Sequence, residues 1–228
     1  MDTLLWPLKV AVAWVMVTIH KALVLIGFPD GPGVAWVLSI IGLTIVVRLL
    51  IMPLFVKQIN AQRSMQAIQP EMRKIQDKYK GKKDPESRQR MNEEMMALYR
   101  KHGTNPMASC LPILVQMPVF LALYWVLLES VEMRQAPWMF WITDLSIKDP
   151  FFILPIIMGA TMFIQQQLNP TPPDPMQAKV LKLMPVIFTF FFLWFPAGLV
   201  LYWVVNNILS IAQQWYITRQ IEQAAKTA

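Results

Sequence analysis

Residues Val34–Phe55 read VAWVLSIIGLTIVVRLLIMPLF, an almost uninterrupted apolar run of 22 residues. At about 1.5 Å per residue it is long enough to cross a hydrocarbon core of about 30 Å. It also carries a guanidinium, Arg48. Burying one in a spanning helix costs about 2.5 to 3.5 kcal/mol on insertion scales, so Arg48 marks a candidate functional site. Lys57 lies nine residues on, about 13 Å along the axis, so snorkelling would carry Arg48 only part of the way to that edge. The acids all fall outside the apolar runs or at their ends, as Glu129 does. The expectation is therefore an Arg48 with no carboxylate partner, standing in a hydrated cavity. Plain snorkelling is the alternative.

The 228 residues are 55% apolar, and the mean hydropathy is positive, which fits a small polytopic membrane protein rather than a soluble enzyme. One cysteine, Cys110, allows no intrachain disulfide, and with only His20 and His102 beside it no zinc or haem ligand set assembles. No metal and no cofactor are expected. The absence of a G-x-x-x-x-G-K-[ST] run argues against nucleotide.

Residues 1–33 are read as an N-terminal amphipathic helix and turn. Lys9 and His20, three turns apart, share one face and Leu5, Leu8, Val12, Val15, Ile19 and Ile26 the other, so the helix is expected to lie in the membrane interface, with a tilted span as the alternative. The first span is 34–56. Residues 57–109 are polar, with twelve Lys or Arg against six acids, and the positive-inside rule makes them cytoplasmic. Met65, Ile68, Met72, Ile75 and Tyr79 repeat at steps of three and four, and Met91, Met95 and Leu98 continue the seam, which predicts an antiparallel helical hairpin with its tip near Gly81–Pro85. It is either a solvated basic hairpin or a docking arm, with Lys80, Lys82, Lys83, Arg88 and Arg90 as contacts for acidic lipid, RNA or targeting factors.

Residues 110–228 hold spans two to five and a short C-terminal tail. The second runs from about Leu111 to Leu128, the third starts at Phe151, the fourth covers Met184–Phe195 and the fifth Leu199 to about Ala212. The linker NPTPPDPMQAK is expected to be non-helical through its prolines. The fold class is an all-α polytopic membrane protein: five transmembrane helices, a cytoplasmic hairpin and an interfacial helix, N-terminus outside and C-terminus cytoplasmic.

With that topology, polar side chains gather at one depth. Thr44 and Arg48 share a face of the first span, Gln116 lies near the entry of the second, Thr161 and Gln165 share a face of the third, and Asn206, Ser210 and Gln213 line the inner half of the fifth. Singly, Gln116 or Thr161 reads as an interhelical hydrogen bond. Together with Arg48 the set reads as a hydrophilic groove open to the cytoplasm, which would shorten the dehydrated path for a polar segment.

Arg48 with Met52–Leu54, the hairpin, GTNPMASCLPILVQMPVFLALY, RQAPWMFWITDLSIKDPFFILPIIMG and LWFPAGLVLYWVVNN together resemble the YidC/Oxa1/Alb3 membrane-protein insertases over nearly the whole chain. The resemblance implies a bacterial inner-membrane insertase or chaperone, not an enzyme, whose first-span arginine corresponds to Arg48. It implies that client helices pass along the third and fifth spans, sliding past Phe163, Leu199 and Trp203. It implies nascent membrane proteins and the lipid bilayer as partners, with the Sec translocon, the ribosome and targeting factors as further candidates, and no DNA. The start of the chain resembles Gram-positive-type members and the wording from about Met117 the Gram-negative type. A small anion transporter or channel using Arg48 as its binding charge is the rival, weakened by the lack of an internal repeat. An intramembrane protease fails for want of a buried His or a membrane-embedded Asp pair.

Overall fold

The computed structural model describes residues 2–28, 33–82, 84–104, 111–129, 137–138, 141–168 and 175–227. Eight helices follow one another among them: α1 (Asp2–Leu25), α2 (Val34–Ala67), α3 (Gln69–Tyr79), α4 (Pro85–Lys101), α5 (Leu111–Glu129), α6 (Ile153–Leu168), α7 (Pro175–Phe192) and α8 (Ala197–Thr227). Lys83, Cys110 and the linker stretch 169–174 lie outside the described residues. The chain divides into two compact units, residues 1–51, 115–168 and 181–228 in one and 52–114 and 169–180 in the other.

The larger unit has one apolar core. Val12 and Met16 of α1, Trp36, Ile40 and Leu43 of α2, Leu123 and Leu127 of α5, Met158 of α6, Phe192 of α7 and Leu199–Tyr202 of α8 are all buried in it. Its exterior is apolar as well: Leu49, Leu50, Ile156, Phe163, Val186, Phe190, Phe191 and Ile208 are exposed. A water-facing surface rarely carries so much contiguous hydrocarbon, whereas lipid tails accept it without penalty. By length and composition Leu5–Leu25 and Val34–Met65 can each cross a membrane, while Leu114–Glu129 and Ile153–Leu168 are shorter apolar helices.

Two close approaches set the helix packing. A Cβ on Gly159 of α6 would stand 2.0 Å from Thr189 Oγ1 of α7, so only glycine lets these helices meet here. At the start of α8, Ala197 and Gly198 donate backbone N–H groups to the carbonyls of Ile147 (2.7 Å) and Leu145 (2.9 Å), which satisfies donors that a helix leaves orphaned at its N-terminus. Gly198 allows that contact, because a Cβ would press on the Leu145 carbonyl at 3.2 Å. The buried Asp149 carboxylate serves the start of α6 in the same way, accepting from the N–H groups of Phe151 (3.0 Å) and Leu154 (2.8 Å).

The smaller unit contains the expected hairpin. Ile68, Met72 and Leu98 form its core, with Met65, Ile75, Met95 and Tyr99 packed on them, so the three-four periodicity is borne out. The tip turns through Gly81 at φ +88°, and Asp84 caps α4 by accepting from the Ser87 N–H at 2.8 Å, with Pro85 at the first helical position.

Two expectations need correction. The face that His20 shares with Lys9, three turns earlier on α1, points inward: His20 is buried there with Val12 and Met16, at helical steps of four, and stacks on Trp36 at 4.0 Å, so Val12 lies on this face and not opposite it. The outward face carries Trp6, Val10 and Trp14, and Lys9 pairs with Glu129. Second, α7 starts at Pro175, so Met176–Lys179 are helical, and beyond the first span α2 continues as one helix to Ala67, through Pro53. A proline suits the first helical position, where its missing N–H would have had no helical partner.

Candidate functional site

Arg48 is held by α8. Its Nε donates to Asn206 Oδ1 at 3.2 Å, its Nη1 to Gln213 Oε1 at 3.1 Å, and its Nη2 to Asn206 Oδ1 at 2.9 Å, to the Asn206 carbonyl at 2.6 Å and to Ser210 Oγ. The side chain is 5% exposed. Three side chains on successive turns of one neighbouring helix thus take its donors. Interhelical hydrogen bonds in bundles contribute about 0.6 to 2 kcal/mol each. Three partners therefore offset most of the insertion cost of about 2.5 to 3.5 kcal/mol. Thr44, one turn before Arg48, is buried and donates to the Ile40 carbonyl of its own helix at 2.7 Å.

Two more polar pairs join α8 to its neighbours. Gln116 of α5 donates through Nε2 to the Tyr202 hydroxyl, while its Oε1 is buried with no hydrogen-bond partner among the described residues. Asn207 Nδ2 donates to Thr161 Oγ1 of α6 at 3.2 Å. Of the eight residues expected to line a groove, Arg48, Asn206, Ser210 and Gln213 meet directly, and Gln116 and Thr161 each reach α8 through a residue not singled out from the sequence. Gln165 is half-buried; its neighbour Gln166 makes the cross-helix contact, donating to the Leu181 carbonyl.

Tyr202 and Asn207 are therefore additions. Tyr202, Asn206, Ser210 and Gln213 fall at steps of four, four and three, a polar stripe along α8 that the sequence contains. Tyr202 escaped notice because a tyrosine in an apolar helix ordinarily reads as an interface anchor.

The expected sliding surface is only partly exposed. Phe163 is 50% exposed on α6, Trp203 is half-buried among Phe120, Phe188 and Phe192, and Leu199 is 0% exposed. Leu199 is corrected to a core residue, because the Leu145–Ile147 segment pins the first turn of α8 against the bundle. In the hairpin, Lys80, Lys82, Arg88 and Arg90 are exposed, with Arg90 paired to Glu86 at 2.7 Å and Lys82 over the Tyr79 ring at 5.6 Å. Among the described residues no group of three or more His, Cys, Asp or Glu could hold a metal ion.

A family model described as 60Kd inner membrane protein matches residues 28–224. The chain belongs to that family. Relatives extend the match: a protein of Ectopseudomonas mendocina named membrane protein insertase YidC is 64% identical over 224 residues, 98% of this chain and 36% of that protein. A protein of the same name from Pseudomonas aeruginosa is 62% identical, again over 98% of this chain and 36% of the relative. A solved structure described as an active YidC insertase with the first transmembrane domain resolved is similar at a TM-score of 0.67 and 27% identity, over 94% of this chain and 46% of that one. These findings bear out the family resemblance, and a membrane location follows for a 60Kd inner membrane protein family member with so apolar an exterior. The chain spans little more than a third of the curated relatives' length.

Proposed function

We propose that this chain is a membrane-protein insertase that moves hydrophobic segments of nascent membrane proteins into the bilayer without covalent chemistry. The observation that carries the reading is the guanidinium of Arg48, buried in an apolar run of α2 and fixed by Asn206, Ser210 and Gln213 of α8. A client's short hydrophilic tail enters on the cytoplasmic side, by way of the half-buried Asn206 and Gln213. Arg48 attracts its acidic groups, and the amides and hydroxyls around it replace water for its polar atoms. The open acceptor on Gln116 Oε1 is one such place. The apolar segment then leaves along the exposed face of α6 at Phe163 into lipid. Transfer of about 20 apolar residues is favourable in itself, so the protein has only to lower the barrier for the polar flank.

In this reading the N-terminus is outside, the C-terminus and the hairpin are cytoplasmic, and Lys80, Lys82 and Arg88 offer the hairpin's contacts to ribosome, translocon or targeting factors. The relatives described above are named insertases, which leaves the anion-transport alternative without support.

A photo-crosslinker placed in turn at Phe163 and Leu199 tests the route, with a ribosome-arrested single-span client in membrane vesicles. The expected result is client adducts from Phe163 and none from Leu199. Adducts from Leu199 alone would overturn the route.

A further inference from the structure

Helix α8 is 31 residues long, about 46 Å at about 1.5 Å per residue, against a hydrocarbon core of about 30 Å. Its start is pinned by the Leu145 and Ile147 carbonyls. Counting from Ala197, Trp215 lies about 27 Å along the axis and Arg219 about 33 Å. With α8 crossing the bilayer, as the proposed function requires, Trp215 and Tyr216 fall at the far edge of the hydrocarbon and Arg219 among the head groups. Both aromatic residues face outward, Trp215 50% and Tyr216 58% exposed.

The side chains there are arranged, not merely present. The Arg219 guanidinium lies 4.0 Å over the centre of the Trp215 ring. Arg219 is exposed, and a guanidinium held over an aromatic ring keeps its N–H donors for a phosphate, which it can take through two parallel hydrogen bonds. Tyr216 is three residues from Arg219 and so neighbours it on the helix surface. Its hydroxyl oxygen accepts from Gln220 Nε2 at 2.7 Å, which leaves the phenolic hydrogen to donate elsewhere. We propose that Trp215, Tyr216 and Arg219 form a binding site for the phosphate of an anionic lipid head group.

Lipid is the fitting source of that phosphate. A nucleic-acid surface gathers several cations, whereas Arg219 is the only basic residue between Lys182 and Lys226. The exposed indole and phenol suit an apolar–aqueous boundary. An anionic lipid is favoured over a zwitterionic one, whose own ammonium competes with the guanidinium for the phosphate. Gln214 donates to the Leu168 carbonyl at 3.0 Å, so the site sits at the end of the α6–α8 seam, beside the route proposed for clients.

The test is the number of lipids retained per protein, read by native mass spectrometry after extraction from nanodiscs of phosphatidylcholine and phosphatidylglycerol in equal parts. Wild type and Arg219→Gln share every other Lys and Arg, so their difference isolates this side chain. The expected result is a loss of about one phosphatidylglycerol in Arg219→Gln, partial retention in Arg219→Lys, and a reduced count in Trp215→Ala, with unchanged thermal unfolding of the exposed Arg219 variants. Equal phosphatidylglycerol counts in wild type and Arg219→Gln would overturn the proposal. So would displacement of the lipid by a short oligoribonucleotide at a concentration where inorganic phosphate has no effect. The readout is independent of insertion activity.

Discussion

Asn206 of α8 accepts from Arg48 of α2 twice at Nη2, through its side-chain oxygen at 2.9 Å and its backbone carbonyl at 2.6 Å. The backbone acceptor survives truncation of the side chain and the amide oxygen does not. Asn206→Ala should therefore destabilise by about 1 kcal/mol, within the range of interhelical bonds in bundles. Arg48→Ala and Asn206→Ala should be less than additive, with a coupling of about 0.5 to 2 kcal/mol. Reversible unfolding in detergent micelles measures both, and strict additivity would mean that the contact carries no energy.

Gln116 and Tyr202 form a buried pair with an asymmetric response to mutation. Tyr202→Phe should strand the Gln116 amide N–H and destabilise by about 1 to 3 kcal/mol. Adding Gln116→Leu should recover most of that loss, because the polar group no longer needs a partner. A double variant less stable than Tyr202→Phe would contradict this.

Gly159 of α6 and Thr189 of α7 make a close helix contact. Gly159→Ala places a Cβ 2.0 Å from Thr189 Oγ1 but 3.2 Å from its Cβ. The single variant should lose about 1 to 3 kcal/mol to overpacking, and Thr189→Ala in the same chain should restore most of it by removing the hydroxyl. Thermal unfolding of the wild type and of these two variants gives the answer.

The hairpin predicts a pH response of known sign. Glu94 accepts from Lys78 and from Tyr79 at 2.8 Å, and these bonds, Lys78 first, hold its carboxyl below the ordinary 4.5. A depressed carboxylate stabilises fully above that ordinary value and loses its contribution as pH falls through the lower folded value. The same bond raises Lys78 above 10.5, so its contribution is present below 10.5 and lost as pH rises past the folded value. Hydrogen-exchange protection of α3 and α4 should decline at both extremes, and the acid-side decline should be weaker in Glu94→Gln. The effect is small, since the pair is exposed. Identical acid-side declines would rule the pair out as its source.

The sequence made legible what periodicity and burial cost dictate locally. The hairpin followed from Met65, Ile68, Met72 and Leu98 at helical steps, and the importance of Arg48 followed from the expense of a cation in an apolar run. Asn206, Ser210 and Gln213 were readable as a line but not as the partners of Arg48, because one sequence does not say which helices are neighbours. Leu199 and His20 were misplaced for a related reason. In a membrane protein both the core and the exterior are apolar, so apolar character does not tell inside from outside, and the loop contacts that bury Leu199 run through backbone carbonyls that carry no side-chain signal.

Insertion of a single-span client with a short acidic N-terminal tail, into liposomes containing only this chain and scored by protease protection, tests the central claim most directly. The account predicts protection above empty liposomes for the wild type, most of it kept in Arg48→Lys and lost in Arg48→Ala. Protection no greater than that of empty liposomes, from folded protein, would contradict it.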